Sequence, residues 1–201
     1  MAKVVCDCAV SLDGFTAGHN QSLEHPFGDI DKDTLTAWMF RTPEERLAED
    51  GMRAGIGAYI MGRNMFTPDR GEWNLDWRGW WGEEPPYHAP VFVLTHYARE
   101  SLPMEGGTTF HFVTDGIESA LAQARAAAGD RDVAIAGGTT TVNEYLAAGL
   151  LDELRIHRVP MVAGKGVRLF EGVGPFNLEA VSTRQAERVT HTIYRIPHDR
   201  S

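Results

Sequence analysis

The chain has 201 residues, of which 43% are hydrophobic and 23% are charged, and this composition is typical of one globular domain with a sizeable core. Its formal net charge of −9 and the lack of any run of Lys or Arg argue against a nucleic-acid partner, because phosphates require a basic surface. The longest apolar stretches have the length of single strands, and no signal-peptide pattern opens the sequence, so we expect a cytoplasmic protein that does not enter the membrane.

Short apolar runs and helical spacings of apolar residues alternate along the first three quarters of the chain. In chain order they predict a strand over 3–10, a helix from 31 onward, a helix over 43–52, strands over 58–61, 91–94 and 109–114, a helix over 117–128, a strand over 133–136, a helix over 139–148, and strands over 153–159, 176–185 and 188–196. Asp31 and Asp33 are the candidate N-caps of the first helix. The alternation predicts a mainly parallel central sheet with crossover helices, and the short turn before the last strand predicts an antiparallel C-terminal hairpin.

Cysteine and histidine patterns offer little chemistry of their own. Cys6 and Cys8 lie two residues apart on one predicted strand, so they share a face, cannot readily bridge each other and are interpreted as small buried hydrophobic residues. None of the histidines shows the spacing of two metal ligands on a helix, and we expect no metal site.

Gly137 and Gly138 occupy a predicted strand-to-helix junction. Two glycines let a ligand approach the backbone, and the N–H groups that begin the next helix attract phosphate. The same residues also fit a tight turn followed by a Thr N-cap. The sequence lacks G-x-G-x-x-G, so the standard dinucleotide fingerprint is absent.

Two further strand ends carry similar chemistry. Gly62 and Arg63 follow one predicted strand, and the planar Arg63 guanidinium suits phosphate oxygens, although a Gly-Arg pair is also typical of a solvated turn. Thr95 and His96 follow the next strand and offer a hydroxyl and an imidazole. All three junctions come just after the carboxyl ends of predicted strands, where open α/β sheets bind ligands. Together they predict an extended site for a phosphate-bearing cofactor.

Six short motifs follow one another in a fixed order: Ser11-Leu12-Asp13-Gly14, Met61-Gly62-Arg63, Val93-Leu94-Thr95, Gly137-Gly138-Thr139, GLLDEL at 149–154 and GKGVRLF at 164–170. This series resembles the dihydrofolate reductase-like superfamily and, more narrowly, the C-terminal reductase domain of the bacterial riboflavin-biosynthesis protein RibD and its stand-alone relatives. The resemblance spans about residues 3–196. It implies a single domain over 1–201 with a three-layer α/β fold, NADPH as cofactor, reductase activity and a homodimer.

The resemblance also implies which residues hold the cofactor. Gly62, Arg63, Asn64 and Met65 are expected at the adenosine phosphates, with Arg63 as the reader of the 2′-phosphate. The remaining cofactor residues implied are Thr95 and His96 at the adenosine end, Gly137, Gly138, Thr139, Thr140 and Thr141 at the pyrophosphate, and Val10 near the nicotinamide.

Substrate contacts are predicted around Asp13. A turn aspartate usually bonds nearby backbone, whereas the resemblance puts Asp13 at the substrate, where it hydrogen-bonds or helps to protonate a reducible ring. Aromatic residues expected near the substrate mouth either stack on a flat ring or pack as core and lid. They are Phe15, Trp38 and Trp73, with Trp77 and Trp81 as further candidates.

Two departures from the family pattern keep the substrate open. Riboflavin-pathway members typically carry Glu before the Gly-Gly pair, and this chain has Ala136. The acidic residue on the first helix of dihydrofolate reductases has no secure counterpart among Asp31, Asp33 and Glu44. The sequence therefore predicts an NADPH-dependent reductase of a pterin-like, pyrimidine-like or other flat heterocycle. The alternative is a non-catalytic nucleotide-binding or regulatory module that keeps the reductase fold.

Overall fold

The computed structural model describes residues 2–40 and 53–198, except for the side chain of residue 40. Its strands are β1 (Val4–Ser11), β2 (Phe15–Ala17), β3 (Ile56–Gly62), β4 (Pro90–Leu94), β5 (Leu102–Pro103), β6 (Thr109–Val113), β7 (Asp132–Gly137), β8 (Glu153–Val159), β9 (Val167–Arg168), β10 (Glu179–Gln185) and β11 (Thr190–Arg195). Its α-helices are α1 (Lys32–Thr36), α2 (Ile117–Ala128) and α3 (Thr139–Ala147), and short 3-10 turns cover Ala37–Phe40, Arg63–Met65 and Glu105–Gly107. The predicted helix over 43–52 lies outside the described residues.

One nine-stranded sheet organises the described part of the chain, in the order β10-β11-β8-β1-β7-β3-β4-β6-β5. The six strands from β8 to β6 in this order run parallel, and β11, β10 and β5 are antiparallel to their neighbours. The predicted mainly parallel sheet with an antiparallel C-terminal hairpin is confirmed. The first strand of that hairpin begins at Glu179 instead of 176.

Helices α2 and α3 cover one face of the sheet. Small residues on α2 allow close packing, and an added Cβ at Gly57 of β3 would lie 2.7 Å from the Cα of Ala128. Tyr145 of α3 is fully buried, and its hydroxyl donates to the Ile117 carbonyl at 2.7 Å, which ties the two helices together. This layer is the largest apolar cluster of the described residues.

The opposite face is covered by α1 and by the tryptophan-rich segment 67–89. Asp31 caps α1 by accepting hydrogen bonds from the backbone N–H groups of Asp33 and Thr34, so the first of the two candidate caps is the one used. Leu35 is the buried residue of α1. The result is a three-layer α/β fold, as predicted.

Strand β1 lies inside the sheet, between β8 and β7, and its side chains alternate between the two faces. Cys6 and Cys8 both point toward the α2 and α3 layer, where they are buried with their sulfur atoms 3.4 Å apart as free thiols. The contact with Cys8 and burial raise the pKa of the Cys6 thiol, which keeps it protonated and unreactive. No described helix is both long and apolar enough to cross a bilayer.

Candidate functional site

The carboxyl ends of β3 and β7 meet at one edge of the sheet, and their glycines make close packing possible there. An added Cβ at Gly62 would lie less than 3.0 Å from the hydroxyl oxygen of Thr141 in the first turn of α3. An added Cβ at Gly137 would lie 3.5 Å from the sulfur of Met65. Two of the three predicted cofactor segments, the one after β3 and the one after β7, are therefore in direct contact.

The start of α3 presents backbone N–H groups at this edge. Gly137 has a φ of +111°, which favours glycine, and its peptide bond to Gly138 is cis. Gly138 occupies the N-cap and provides no side-chain hydrogen bond to the helix. The hydroxyl groups of Thr16 and Thr139 hydrogen-bond to each other beside it. A helix start without a side-chain cap can satisfy its N–H groups with a bound anion.

Arg63 lies at the same edge, stacked on aromatic rings of neighbouring segments. Its guanidinium carbon is 3.9 Å from the centre of the Trp73 ring and 5.2 Å from that of Tyr97. Burial lowers the pKa of Arg63, although an arginine stays protonated in proteins. A cation therefore lies at this edge, and its role at a phosphate stays a prediction.

Thr95, at the end of β4, shapes the chain that follows it. Its backbone N–H donates to the Val113 carbonyl at 3.0 Å, and its buried hydroxyl accepts the Tyr97 N–H at 3.1 Å. His96, between them, is exposed. The Asn64 carbonyl accepts hydrogen bonds from Gln21 at 3.0 Å and Trp80 at 3.3 Å, so the loop after β2 and the tryptophan-rich segment both reach the edge predicted to hold the cofactor.

Asp13 is held in a network of backbone donors. Its carboxylate accepts the N–H groups of Ala163 at 3.0 Å and Gly164 at 2.7 Å, and the Ser11 hydroxyl at 2.6 Å. Its hydrogen bond with Ser11, followed by those from the two amides, lowers the pKa of Asp13 to about 2. Asp13 is therefore ionised at neutral pH, which suits a hydrogen-bond acceptor and opposes the role of proton donor. Its predicted contact with substrate stays a prediction.

Val10 borders a cavity of about 210 Å³ at the end of β1. Leu12, Gly14, Phe170 and Tyr194 contribute to its walls. Ligand pockets generally measure about 300–1,000 Å³. This cavity is therefore too small to enclose a dinucleotide and only suits part of a ligand.

The three aromatic residues predicted at the substrate lie in three different environments. Phe15 is buried, and the Arg168 guanidinium carbon lies 4.3 Å from its ring centre. Trp38 is buried against the rings of His157 and His191, with centroid distances of 4.7 and 5.0 Å. Trp73 lies against Arg63 and hence on the predicted cofactor side. The structure does not bring these three rings together around one substrate.

A polar chain beneath Trp38 has no counterpart in the sequence-based predictions. Asp7 Oδ1 lies 3.1 Å from His157 Nε2, and His157 Nδ1 lies 2.8 Å from His191 Nδ1. His157 is 3% exposed. Strand alternation puts Asp7 on the face opposite Cys6, but only the pairing of β1 with β8 and of β8 with β11 brings the histidines to it. Among the described residues, no group of three or more His, Cys, Asp and Glu side chains is arranged to hold a metal ion.

The sheet order, the helices on both faces and the glycine-rich edge define an α/β protein of the dihydrofolate reductase-like class. The family model described as "RibD C-terminal domain" matches residues 2–192, and the chain belongs to this family. Among curated proteins, the uncharacterised protein YyaP of Bacillus subtilis (strain 168) is 25% identical over 193 residues, which cover 90% of this chain and 88% of YyaP.

Solved structures share the fold at low sequence identity. A putative riboflavin biosynthesis protein from Shewanella sp. PV-4 has a TM-score of 0.70 at 24% identity and covers 97% of this chain and 99% of its own. The deaminase and uracil reductase of Thermotoga maritima has a TM-score of 0.62 at 17% identity over 98% of this chain and 57% of its own. Dihydrofolate reductase from Enterococcus faecalis, complexed with NADP(H), has a TM-score of 0.57 at 16% identity over 96% of both chains. The chain is thus a member of a reductase-fold family.

Proposed function

We propose that the protein is an NADPH-dependent reductase that acts on a pterin-like, pyrimidine-like or other flat heterocyclic substrate. The observation that carries this proposal is the edge at which Gly62 packs against Thr141 and Gly137 against Met65, with Arg63 beside them. Each glycine leaves room for a side chain of the neighbouring segment, the Thr141 hydroxyl at Gly62 and the Met65 thioether at Gly137. The ends of β3 and β7 and the start of α3 therefore lie side by side, which suits a long ligand that crosses all three. The Enterococcus faecalis neighbour is complexed with NADP(H) on the same fold, which supports the proposal.

The residues at this edge fit NADPH. The N–H groups at the start of α3, from Thr139 to Thr141, would hold the pyrophosphate, since Gly138 offers no competing side chain. Arg63 would hold the 2′-phosphate, and Val10 would border the nicotinamide. The cationic Arg63 and the uncapped helix start provide local positive potential in a chain of formal net charge −9.

Reduction of the substrate needs a hydride at one atom and a proton at its neighbour. NADPH, when bound, supplies the hydride. Asp13 is ionised by its hydrogen bonds to Ser11, Ala163 and Gly164, so its contribution would be to accept a hydrogen bond from the substrate and fix its orientation. The proton then comes from water.

The first test is NADPH titration, followed by nicotinamide fluorescence and by thermal melting of the protein. We expect saturable binding and a higher melting temperature, and no binding at millimolar cofactor would contradict the proposal. Gly137→Ala should weaken binding, because its φ of +111° is strained for any side chain. Gly129→Ala is the matched control, since Gly129 also has a positive φ, +65°, but lies at the C-terminal end of α2.

Turnover is tested with NADPH and a panel of dihydrofolate, deaminated pyrimidine and small carbonyl compounds, followed by loss of nicotinamide absorbance. Asp13→Asn should lower turnover much more than NADPH affinity if Asp13 contacts substrate. An equal loss of both would assign Asp13 to the turn and to the loop at Ala163 and Gly164 alone.

A non-catalytic nucleotide-binding or regulatory module is the second candidate function. It is favoured by the engagement of Asp13 with backbone, by the burial of Trp38 and by Ala136 in place of the family's glutamate. NADPH binding without oxidation across the whole panel would support it. The homodimer implied by the family resemblance is also a proposal, which sedimentation velocity would test.

A further inference from the structure

Arg63 contacts two aromatic rings that come from different segments of the chain. Trp73 belongs to the tryptophan-rich segment, and its ring centre is 3.9 Å from the guanidinium carbon. Tyr97 follows β4, and its ring centre is 5.2 Å from the same carbon. A guanidinium in such contacts gains cation–π attraction and loses rotational freedom while its edge N–H groups stay available.

Trp73 is fixed to the backbone of the segment that carries Tyr97. The Trp73 indole N–H donates to the Tyr97 carbonyl at 2.9 Å, and the Thr95 hydroxyl accepts the Tyr97 N–H at 3.1 Å. Trp73 also packs edge-on against Phe66 and Phe112. The orientation of the indole is therefore set by a hydrogen bond and by core contacts, and it does not depend on Arg63.

The hydrogen-bonding capacity of Arg63 is largely unused. Within the described part of the chain its only hydrogen bond is a long one, 3.4 Å, from Nη2 to the Glu72 carbonyl, and it forms no ion pair. Its Nε is buried without a hydrogen-bond partner. A buried donor without an acceptor costs free energy, and a charged donor costs more. Aromatic rings thus hold the guanidinium in place, and its N–H donors lack a strong acceptor such as an anion.

We propose that Trp73 and Tyr97 are positioning residues that orient Arg63 toward the 2′-phosphate, and that Trp73 thereby sets the preference for NADPH over NADH. The proposal rests on the proposed function and reassigns Trp73 from the substrate to the cofactor. Pre-orientation of a side chain strengthens binding because less conformational entropy is lost when the ligand arrives. NADH lacks the 2′-phosphate, so its affinity does not depend on this arrangement.

The experiment measures the dissociation constants of NADPH and NADH by nicotinamide fluorescence, and the readout is their ratio. Trp73→Leu removes the aromatic face, and we expect it to lower the preference for NADPH by about five- to tenfold with little change for NADH. Trp73→Phe keeps an aromatic ring and should retain most of the preference. Unchanged NADH binding shows that each variant is folded.

Trp77→Leu is the matched control. Trp77 anchors the same segment through its indole N–H, which donates to the Phe66 carbonyl at 2.7 Å. Among the described residues the rings that the Arg63 guanidinium contacts are those of Trp73 and Tyr97, not that of Trp77. We expect it to leave the ratio unchanged. In an Arg63→Gln background, Trp73→Leu should have no further effect on the ratio, because Trp73 acts through Arg63.

The outcomes separate the two proposals. Wild-type protein that binds neither cofactor overturns the proposed function and this inference with it. Wild-type protein that prefers NADPH, together with a Trp73→Leu variant of unchanged preference, overturns the inference alone. An equal shift in the Trp77→Leu variant, or a persistent effect of Trp73→Leu without Arg63, overturns it as well.

Discussion

Gly62→Ala tests how tightly β3 packs against the first turn of α3. Because Gly62 has a φ of −75° and a ψ of 159°, alanine adopts this backbone without strain. The added Cβ would lie less than 3.0 Å from the Thr141 hydroxyl oxygen, while its next neighbours, Gly138 N and Thr141 Cβ, lie at 3.6 Å. One atom therefore accounts for the whole collision. Overpacking of this kind costs about 1–3 kcal/mol, or a few degrees in melting temperature for a domain of this size.

Removal of the colliding atom should restore stability. We expect the double variant Gly62→Ala/Thr141→Ala to recover most of the loss, with a coupling free energy of about 1–2 kcal/mol in a double-mutant cycle. Thr141→Val keeps the branched shape and should not restore it. Urea denaturation followed by tryptophan fluorescence measures all variants. If the stability loss of the double variant equals the sum of the losses of Gly62→Ala and Thr141→Ala, the described close approach of β3 to α3 is wrong.

Three further changes test other contacts of the fold. Tyr145→Phe should lower the free energy of unfolding by about 0.5–1.5 kcal/mol, because the buried hydroxyl loses its bond to the Ile117 carbonyl; urea denaturation with an unchanged midpoint would contradict this. Gly57→Ala should cost about 3 kcal/mol, and Ala128→Gly should not rescue it, because the collision involves the Ala128 Cα, as paired melting curves would show. Asp13→Asn should destabilise the protein at neutral pH, and the difference should disappear as the pH falls from 3.8 to about 2. The lowered pKa means that Asp13 stabilises the fold only while ionised, so a difference independent of pH in urea midpoints would refute this.

Local sequence signals were sufficient for most of the described elements. Apolar spacing predicted α2 and α3 within a residue at each end, and the alternation of strands and helices predicted the parallel sheet. These features follow from periodicity and from the handedness of crossover connections, which act over short stretches of chain. The short strands β2, β5 and β9 were missed because two or three residues carry no periodic signal.

The meeting of Gly62 with Thr141 was predictable in outline, because parallel strands bring their carboxyl ends to one edge of a sheet. The partners of Asp13 were not. The sequence predicts a turn aspartate there, but its amide donors at Ala163 and Gly164 lie in a loop after β8, far along the chain. Such contacts depend on the strand order, in which β8 is the neighbour of β1.

The sequence predicts that the tryptophan rings are buried, but the role of each ring depends on the polar side chain that it contacts in the fold. Trp38 packs against His157 and His191 on the sheet, so an indole covers the buried His157, whereas Asp7 at the other end of the polar chain stays exposed. Trp73 instead contacts the Arg63 guanidinium, and its proposed role is to orient that cation. The sequence predicts Trp38 in the helix that begins at 31 and Trp73 in an irregular segment, but it predicts both near the substrate. Trp38 contacts His157 and His191, and Trp73 contacts Arg63, because different strands lie beneath the two rings. The order of those strands is set by the whole fold.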